Sequence, residues 1–419
     1  MSYLERFMAD VERSVTPYHA VETIKNRFLS ADFVELKESE TWNLERNKKY
    51  FAVRNGSAVI AFTTGSACGF NIVAAHTDSP CLKVKKNPEI TTGGVRKLNV
   101  ETYGGGLWYT WFDRPLKLAG RYVEKNGDEL RVKLFKSERS FVVPSVAIHF
   151  NREANTSFAV NSQIDLMPVV GLGAGESVIK ENWLDEDLFV VSDEKPFLAG
   201  EKGEFLVSPR LDDLASAFAA AEAVINAPAD GLSVCFLADN EEVGSSTKQG
   251  AGGTFLKSTL KRIACSLGMD FDTALASSFM VSADNAHAVH PNHPEKSDPT
   301  NSVILGEGVV VKHHANQNYT TDAVSSAVIK QIAEKAGVKT QDFFMRSDLR
   351  CGSTLGAISS TQVSVKSVDV GIAQLAMHSA VETVAASDLE AAVKLFEGFF
   401  KAKIQFPEDG RIILKEPRF

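Results

Sequence analysis

Residues 232–246 read LSVCFLADNEEVGSS. Leu232 to Leu237 form a short apolar run with the character of a buried strand, and Gly244-Ser245 open a turn. Glu241 and Glu242 therefore project from a strand end into a turn, where open α/β sheets gather their ligands. Two adjacent carboxylates there can divide the work of a metal hydrolase, one holding a metal while the other moves the proton. Glu-Glu pairs also sit on ordinary solvated surfaces, so the meaning of this one depends on what the rest of the chain brings to it.

Four further segments end in the right residue types. GFNIVAAH (69–76) is a continuous apolar run closing in His76-Thr77-Asp78. Asp78 is spaced to fix the imidazole tautomer of a metal-ligating His76; a hydrogen-bonded core histidine beside a turn aspartate is the bland alternative. SPRLDDLASAFAAAEAVI (208–225) sets Asp212 at the entry of an alanine-rich helix, as a cap or as a metal bridge. SSFMVSADNAHAVH (277–290) ends its strand at Asp284, and VSVKSVDVGIAQLAMHSAVE (363–382) puts His378 in the loop beyond a strand.

Two histidines and three carboxylates suit two borderline divalent ions sharing one bridging carboxylate, with Glu241 left free as general base. On this arithmetic His76, Asp212 and one of Glu242 or Asp284 hold one ion. Asp212, His378 and the remaining carboxylate hold the other.

At 419 residues the chain is long enough for two or three domains, or for one carrying a large insertion. A net charge of -8 argues against a general nucleic-acid binder, which needs a basic surface to neutralise phosphates. The start, MSYLERFMADVERS, mixes charges among its apolar positions, and no later run is long enough to span a membrane. A cytoplasmic location is expected. The five cysteines (Cys68, Cys81, Cys235, Cys265, Cys351) lack CxxC spacing and read as small apolar fillers.

Three textures follow one another along the chain. The first stretch, to about Phe33, is helical with a break near Pro17; YFAVRNGSAVIAF (50–62) is a hairpin turning at Asn55-Gly56. From about Lys85 to Lys180 come short strand-like runs, Gly104-Gly105-Gly106 and the aromatics Trp108, Tyr109, Trp111 and Phe112, a separate β-rich module. From about Asp185 strands and helices alternate, the mark of an α/β layer. One helix is expected over 321–336 with Val324, Val328, Ile332 and Ala336 on its core face, ending at Gly337. Another follows a capping box at Ser387-Asp388-Leu389-Glu390 and buries Leu389, Val393, Phe396 and Phe400.

AAHTDSP, SPRLDD, DNEEVGS, SADNAHAVHPN and QLAMHS, in this order, resemble the motif set of the aspartyl aminopeptidase family of zinc metallo-aminopeptidases, and the likeness runs to GFFKAK (398–403). That resemblance implies His76, Asp212, Glu242, Asp284 and His378 as zinc ligands, Asp212 as the bridge and Glu241 as the catalytic base, beside which Asp78 is counted as a catalytic residue for its spacing to His76. It implies two Zn2+ per subunit, with Co2+ or Mn2+ as substitutes, and substrate contacts at His149, His287, Lys312 and Tyr319. It further implies an α/β catalytic domain (1–87 and 184–419) interrupted by a β-rich dimerisation domain (88–183), in a homo-oligomer, a dodecamer built from dimers. The expected substrates are peptides with a free N-terminus, Asp or Glu in first place, their acidic side chain pairing with Lys312.

GLGAGES (171–177) is no dinucleotide loop, since Glu176 stands at the third glycine position, and HExxH, P-loop and GxSxG motifs are missing. Two rivals remain: an aminoacylase-like amidohydrolase using a similar metal set, and a catalytically silent assembly protein that keeps the fold.

Overall fold

The computed structural model describes residues 1–415. Its centre is a mixed nine-stranded sheet in the spatial order Val34–Leu36, Lys49–Arg54, Ala58–Thr63, Ser233–Ala238, Asn71–His76, Phe279–Ala283, Lys366–Gly371, Val309–His313, Thr340–Phe344. The four strands 233–238, 71–76, 279–283 and 366–371 run parallel side by side. The first three are largely apolar without alternation because both faces are covered, and successive side chains serve opposite cores, whereas 366–371 alternates Ser367 and Asp369 with Val368 and Val370. Val73, Ala75, Cys235, Leu237 and Val281 pack under helices Leu211–Asn226 and Ala386–Lys401 and the N-terminal pair. Ile72, Ala74, Val234, Phe236 and Met280 pack under Phe255–Ser266 and Leu355–Gln362.

Register decides where the ligands emerge. Ala238 lies opposite His76, and Ser282 opposite Ala74, so two residues further on Asp284 leaves its strand level with His76. The strand Ser233–Ala238 is then broken by Asn240 at φ 61° and continued as a single 3-10 turn, Glu241–Val243. The expected hairpin turns through the three residues Asn55, Gly56 and Ser57, since Arg54 pairs with Ala58, and Asn55 and Gly56 are both left-handed.

The β-rich unit is a second sheet, six antiparallel strands in the order Glu129–Lys136, Leu116–Asn126, Trp183–Ser192, Cys81–Thr92, Val95–Tyr103, Val169–Leu172, around its own core of Leu82, Leu98, Trp111, Leu118 and Val190. It leaves the α/β layer just after Pro80 and returns by Ser192, which inserts it between His76 and Asp212. A five-stranded sheet, Phe197–Ala199, Phe205–Ser208, Glu382–Ala385, Ala373–Leu375, Ala286–His287, carries the loop that bears His378. No helix among the described residues is long and apolar enough to cross a membrane.

Three expectations need correction. The helix expected to be capped by Ser387 starts at Ala386, directly after strand Glu382–Ala385, and its cap residue Ala385 has no side-chain acceptor to offer. Asp388 instead turns its carboxylate to the backbone N–H groups of Gly306 and Gly308, at 2.8 and 3.0 Å. Val324 is 45% exposed, because Asp322 caps that helix and the first turn stands clear of the core, which begins at Ser325. Of the cysteines only Cys81, Cys235 and Cys351 are buried fillers; Cys68 and Cys265 are exposed.

Candidate metal centre

The strand ends and loops converge on Asp212. Its Oδ1 lies 3.4 Å from His76 Nε2 and its Oδ2 lies 3.2 Å from His378 Nε2, so each carboxylate oxygen faces a different imidazole. His378 Nε2 is also 3.4 Å from Glu242 Oε1. Donor atoms of His76, Asp212 and Glu242 all lie within 4.8 Å of one another, as do those of Asp212, Asp213 and Asp284. Asp212 is common to both groups. All five residues expected as ligands are therefore gathered in one place.

The imidazoles are oriented from behind. His76 Nδ1 faces the backbone oxygen of Asp78 at 3.1 Å and its carboxylate at 3.4 Å, and His378 Nδ1 faces the backbone oxygen of Gly105 at 3.0 Å. With each Nδ1 so engaged, each Nε2 is turned toward the carboxylates, the arrangement metal-ligating histidines require. Asp78 also accepts the backbone N–H of Glu241 (3.1 Å) and of Glu242 (3.2 Å), so the residue expected to orient His76 fixes the Glu-Glu turn as well.

Packing this much acid into a buried pocket has electrostatic consequences. Burial pushes Glu241 up to about 8, with Asp284, Asp78 and Asp212 adding to the rise and His76 opposing it. Burial likewise raises Glu242 and Asp213. Asp212 goes the other way, since His378 and His76 beside its carboxylate outweigh its burial. His378 reaches about 10, burial being overcome by Asp212 and Glu242. Buried oxygens of this kind normally have hydrogen-bond partners. Asp212 Oδ1, Asp213 Oδ1 and Glu242 Oε1 are buried without a well-formed hydrogen bond among the described residues, Asp212 Oδ1 and Glu242 Oε1 each lying 3.4 Å from an imidazole Nε2. Divalent cations fit this donor set, as carboxylate and imidazole ligands suit zinc.

The expected substrate contacts divide. Lys312 is buried beside Asp284: its Nζ donates to the backbone oxygens of Asp284 (3.0 Å) and Asn285 (3.1 Å) and lies 3.5 Å from Asp284 Oδ2. Tyr319 sits under the same Nζ, with 4.9 Å from nitrogen to ring centre, and His287 joins them through Phe343. Although His287 reaches the surface, desolvation by the atoms packed around its ring, followed by the charge of Lys312, lowers its pKa. His149 is not in this group; it is exposed in the irregular stretch 144–168 of the β-rich unit.

Four functional positions escaped the sequence reading. Asp213 accepts the backbone N–H of His76 at 3.2 Å, and Glu382 accepts those of Asp212 and His378. Tyr103 donates to Asp78 at 2.7 Å, and Gly105 supplies the carbonyl under His378. Asp213 and Glu382 stand inside SPRLDD and just beyond QLAMHS, so proximity to the ligands was the available signal; Tyr103 offered none.

A family model described as aminopeptidase I zinc metalloprotease (M18) matches residues 11–400. A protein of Clostridium acetobutylicum named "Probable M18 family aminopeptidase 2" is 41% identical over 430 residues, covering 96% of this chain and 99% of its own. Among solved structures, a complex described as Ape4 with Nbr1 superposes with a TM-score of 0.90 at 35% identity, covering 95% of this chain and 85% of the other. The S. cerevesiae mApe1 dodecamer superposes with a TM-score of 0.81 at 27% identity, covering 95% and 96%.

Proposed function

Because the chain belongs to the M18 family of aminopeptidase I zinc metalloproteases, we propose that this zinc aminopeptidase works with two ions and releases N-terminal Asp or Glu from peptides. The observation that carries the two-ion reading is Asp212, whose two oxygens face His76 and His378 separately. His76, Asp212, Glu242, Asp284 and His378 would hold the ions, Asp212 shared between them; Co2+ or Mn2+ suits the same donors. When bound, zinc supplies a Lewis acid that polarises the scissile carbonyl and makes water acidic.

The chain's own residues do the rest. Among the described residues no imidazole is paired with Glu241 within ion-pair distance, and its backbone N–H is held by Asp78. It receives the proton of the attacking water on its carboxylate and passes it to the departing amine. The carboxylates around Asp212 form the region where the substrate's free amine would settle.

Acidic preference is supported by Lys312, a buried cation beside the centre, with His287 and Tyr319 about it. A second reading is favoured by the same lysine: two carbonyls and Asp284 already occupy its Nζ, which makes it a support for Asp284 and leaves the preference neutral. Initial rates on Asp, Glu, Leu and Ala anilides decide between them. Faster cleavage of Asp and Glu supports the first reading, and faster cleavage of Leu or Ala the second.

The β-rich unit is read as the dimerisation domain of a homo-oligomer, and His149 on its exposed loop as a residue for a neighbouring subunit's site. Support comes from the likeness to a dodecameric relative and from edge strand Glu129–Lys136, which exposes Leu130, Val132 and Leu134 along one face. The free cysteines, two of them exposed, accord with a reducing cytoplasm.

A further inference from the structure

We propose that Tyr103 is a positioning residue of the hydrolytic site, acting through Asp78, and that the turn 103–107 of the inserted sheet is thereby part of the metal centre. This rests on the ligand set proposed above.

Tyr103 closes strand Val95–Tyr103, in the six-stranded sheet rather than the catalytic one. Its ring meets Phe189 edge-on at 5.9 Å, so its place is set by the core of the inserted unit. The direction of its hydroxyl follows from hydrogen counting. Asn240 Oδ1 accepts from Thr247 Oγ1 (2.9 Å) and Gln249 Nε2 (2.7 Å), which leaves Asn240 Nδ2 to donate to Tyr103 Oη at 2.8 Å. The Tyr103 hydroxyl, already an acceptor, then donates its single proton to Asp78 Oδ2 at 2.7 Å.

Asp78 is the hub on which this acts. One carboxylate faces His76 Nδ1 and takes the backbone N–H groups of Glu241 and Glu242, so its orientation sets a ligand imidazole, the proposed base and a ligand carboxylate together. The residues after Tyr103 extend the same contact to the other imidazole. Gly105 O faces His378 Nδ1 at 3.0 Å and Leu107 N–H donates to His378 O at 2.8 Å. Gly104, at φ +74°, passes so close to Glu242 that a Cβ there would lie 3.1 Å from the Glu242 Cβ. The inserted sheet thus touches ligands from both sides of Asp212.

Tyr103→Phe keeps the ring and removes only the hydroxyl. Losing a hydrogen bond behind a metal ligand typically weakens metal binding or activity by about 10- to 100-fold. The expected result is a loss of that size in zinc affinity by competition with a chelator. A changed visible spectrum of the cobalt(II) protein and a kcat lowered with KM little altered are expected with it. Wild-type zinc affinity and cobalt spectrum in the variant would overturn the proposal. If the variant does not fold, Asn240→Asp serves instead, since it removes the donor that directs the Tyr103 hydroxyl to Asp78, and the same losses are expected. A wild-type protein that takes up no zinc would sink the ligand reading, and this proposal with it; zinc uptake by wild type with no difference in the variants would sink this proposal alone.

Discussion

Glu382 Oε2 accepts the backbone N–H of Asp212 at 3.0 Å, and its Oε1 accepts that of His378 at 2.6 Å. One buried carboxyl thus joins the helix entry that bears the proposed bridge to the loop that bears the second imidazole. His378 is held at φ 67°, a left-handed conformation that histidine adopts at a cost, and this hydrogen bond helps to keep it there. Glutamine has one acceptor oxygen where glutamate has two. Glu382→Gln should therefore leave one buried N–H unpaired and destabilise the fold by about 1–3 kcal/mol, measured by denaturant unfolding. Unfolding at the wild-type midpoint would contradict the account of this clamp.

Glu241→Gln should retain zinc and lose activity. The substitution preserves shape and the backbone contacts to Asp78 but cannot take a proton, and general base catalysis contributes about 10²- to 10⁴-fold. Zinc content by elemental analysis together with kcat tests this. Near wild-type turnover would remove Glu241 from the proton-transfer role.

Chelation should abolish hydrolysis and lower the melting temperature, because ions bound only by the folded protein stabilise it. At a free concentration of 100 times the dissociation constant the gain is about 2.7 kcal/mol. Returning zinc should restore both properties. Activity that survives exhaustive chelation would be incompatible with the proposed centre.

Gly104→Ala should be poorly tolerated. The new Cβ would crowd Glu242 and the residue would be fixed at φ +74°, which costs roughly 1 kcal/mol or more for a residue other than glycine. Reduced zinc affinity accompanied by lower thermal stability is expected. A fully stable variant with unchanged affinity would show that the turn is free to move away.

Acid sensitivity has a source away from the metal centre. Burial, with the charges of Lys136 and Arg210, pushes His19 down to about 4. An unfolded chain has its histidines near 6.5, so between about 4 and 6.5 the unfolded state binds a proton that the folded state does not. The contribution is complete above about pH 6.5 and is lost as pH falls through this window, by about 3 kcal/mol at most. His19→Gln should flatten the fall in stability between pH 6.5 and 4, as followed by urea midpoints. An unchanged slope would assign the acid sensitivity to other groups.

The parts of the site that could be read from sequence are those announced by strand breaks. His76, Glu241, Glu242 and Asp284 each follow an apolar run that stops abruptly, and the parallel register of those runs brings the stops to one edge. The helix after Asp212 was visible in its alanines, whose small side chains let it lie close on the sheet. Tyr103, Gly105, Asp213 and Glu382 were not visible, because each acts through hydrogen bonds, mostly to backbone groups, with partners that, the His378 amide held by Glu382 apart, are distant along the chain. Such bonds impose no spacing and no periodicity. The misread cap at Ser387 has the same origin: Asp388 was claimed by two glycine amides some eighty residues away.

The most direct test of the central claim compares hydrolysis of an aspartyl anilide with that of its N-acetyl derivative by the zinc-loaded protein. A two-zinc aminopeptidase that seats the free amine among the carboxylates around Asp212 is predicted to cleave the first and leave the second intact, with zinc required throughout. Equal or faster cleavage of the acetylated compound would contradict it and point to an amidohydrolase at the same centre.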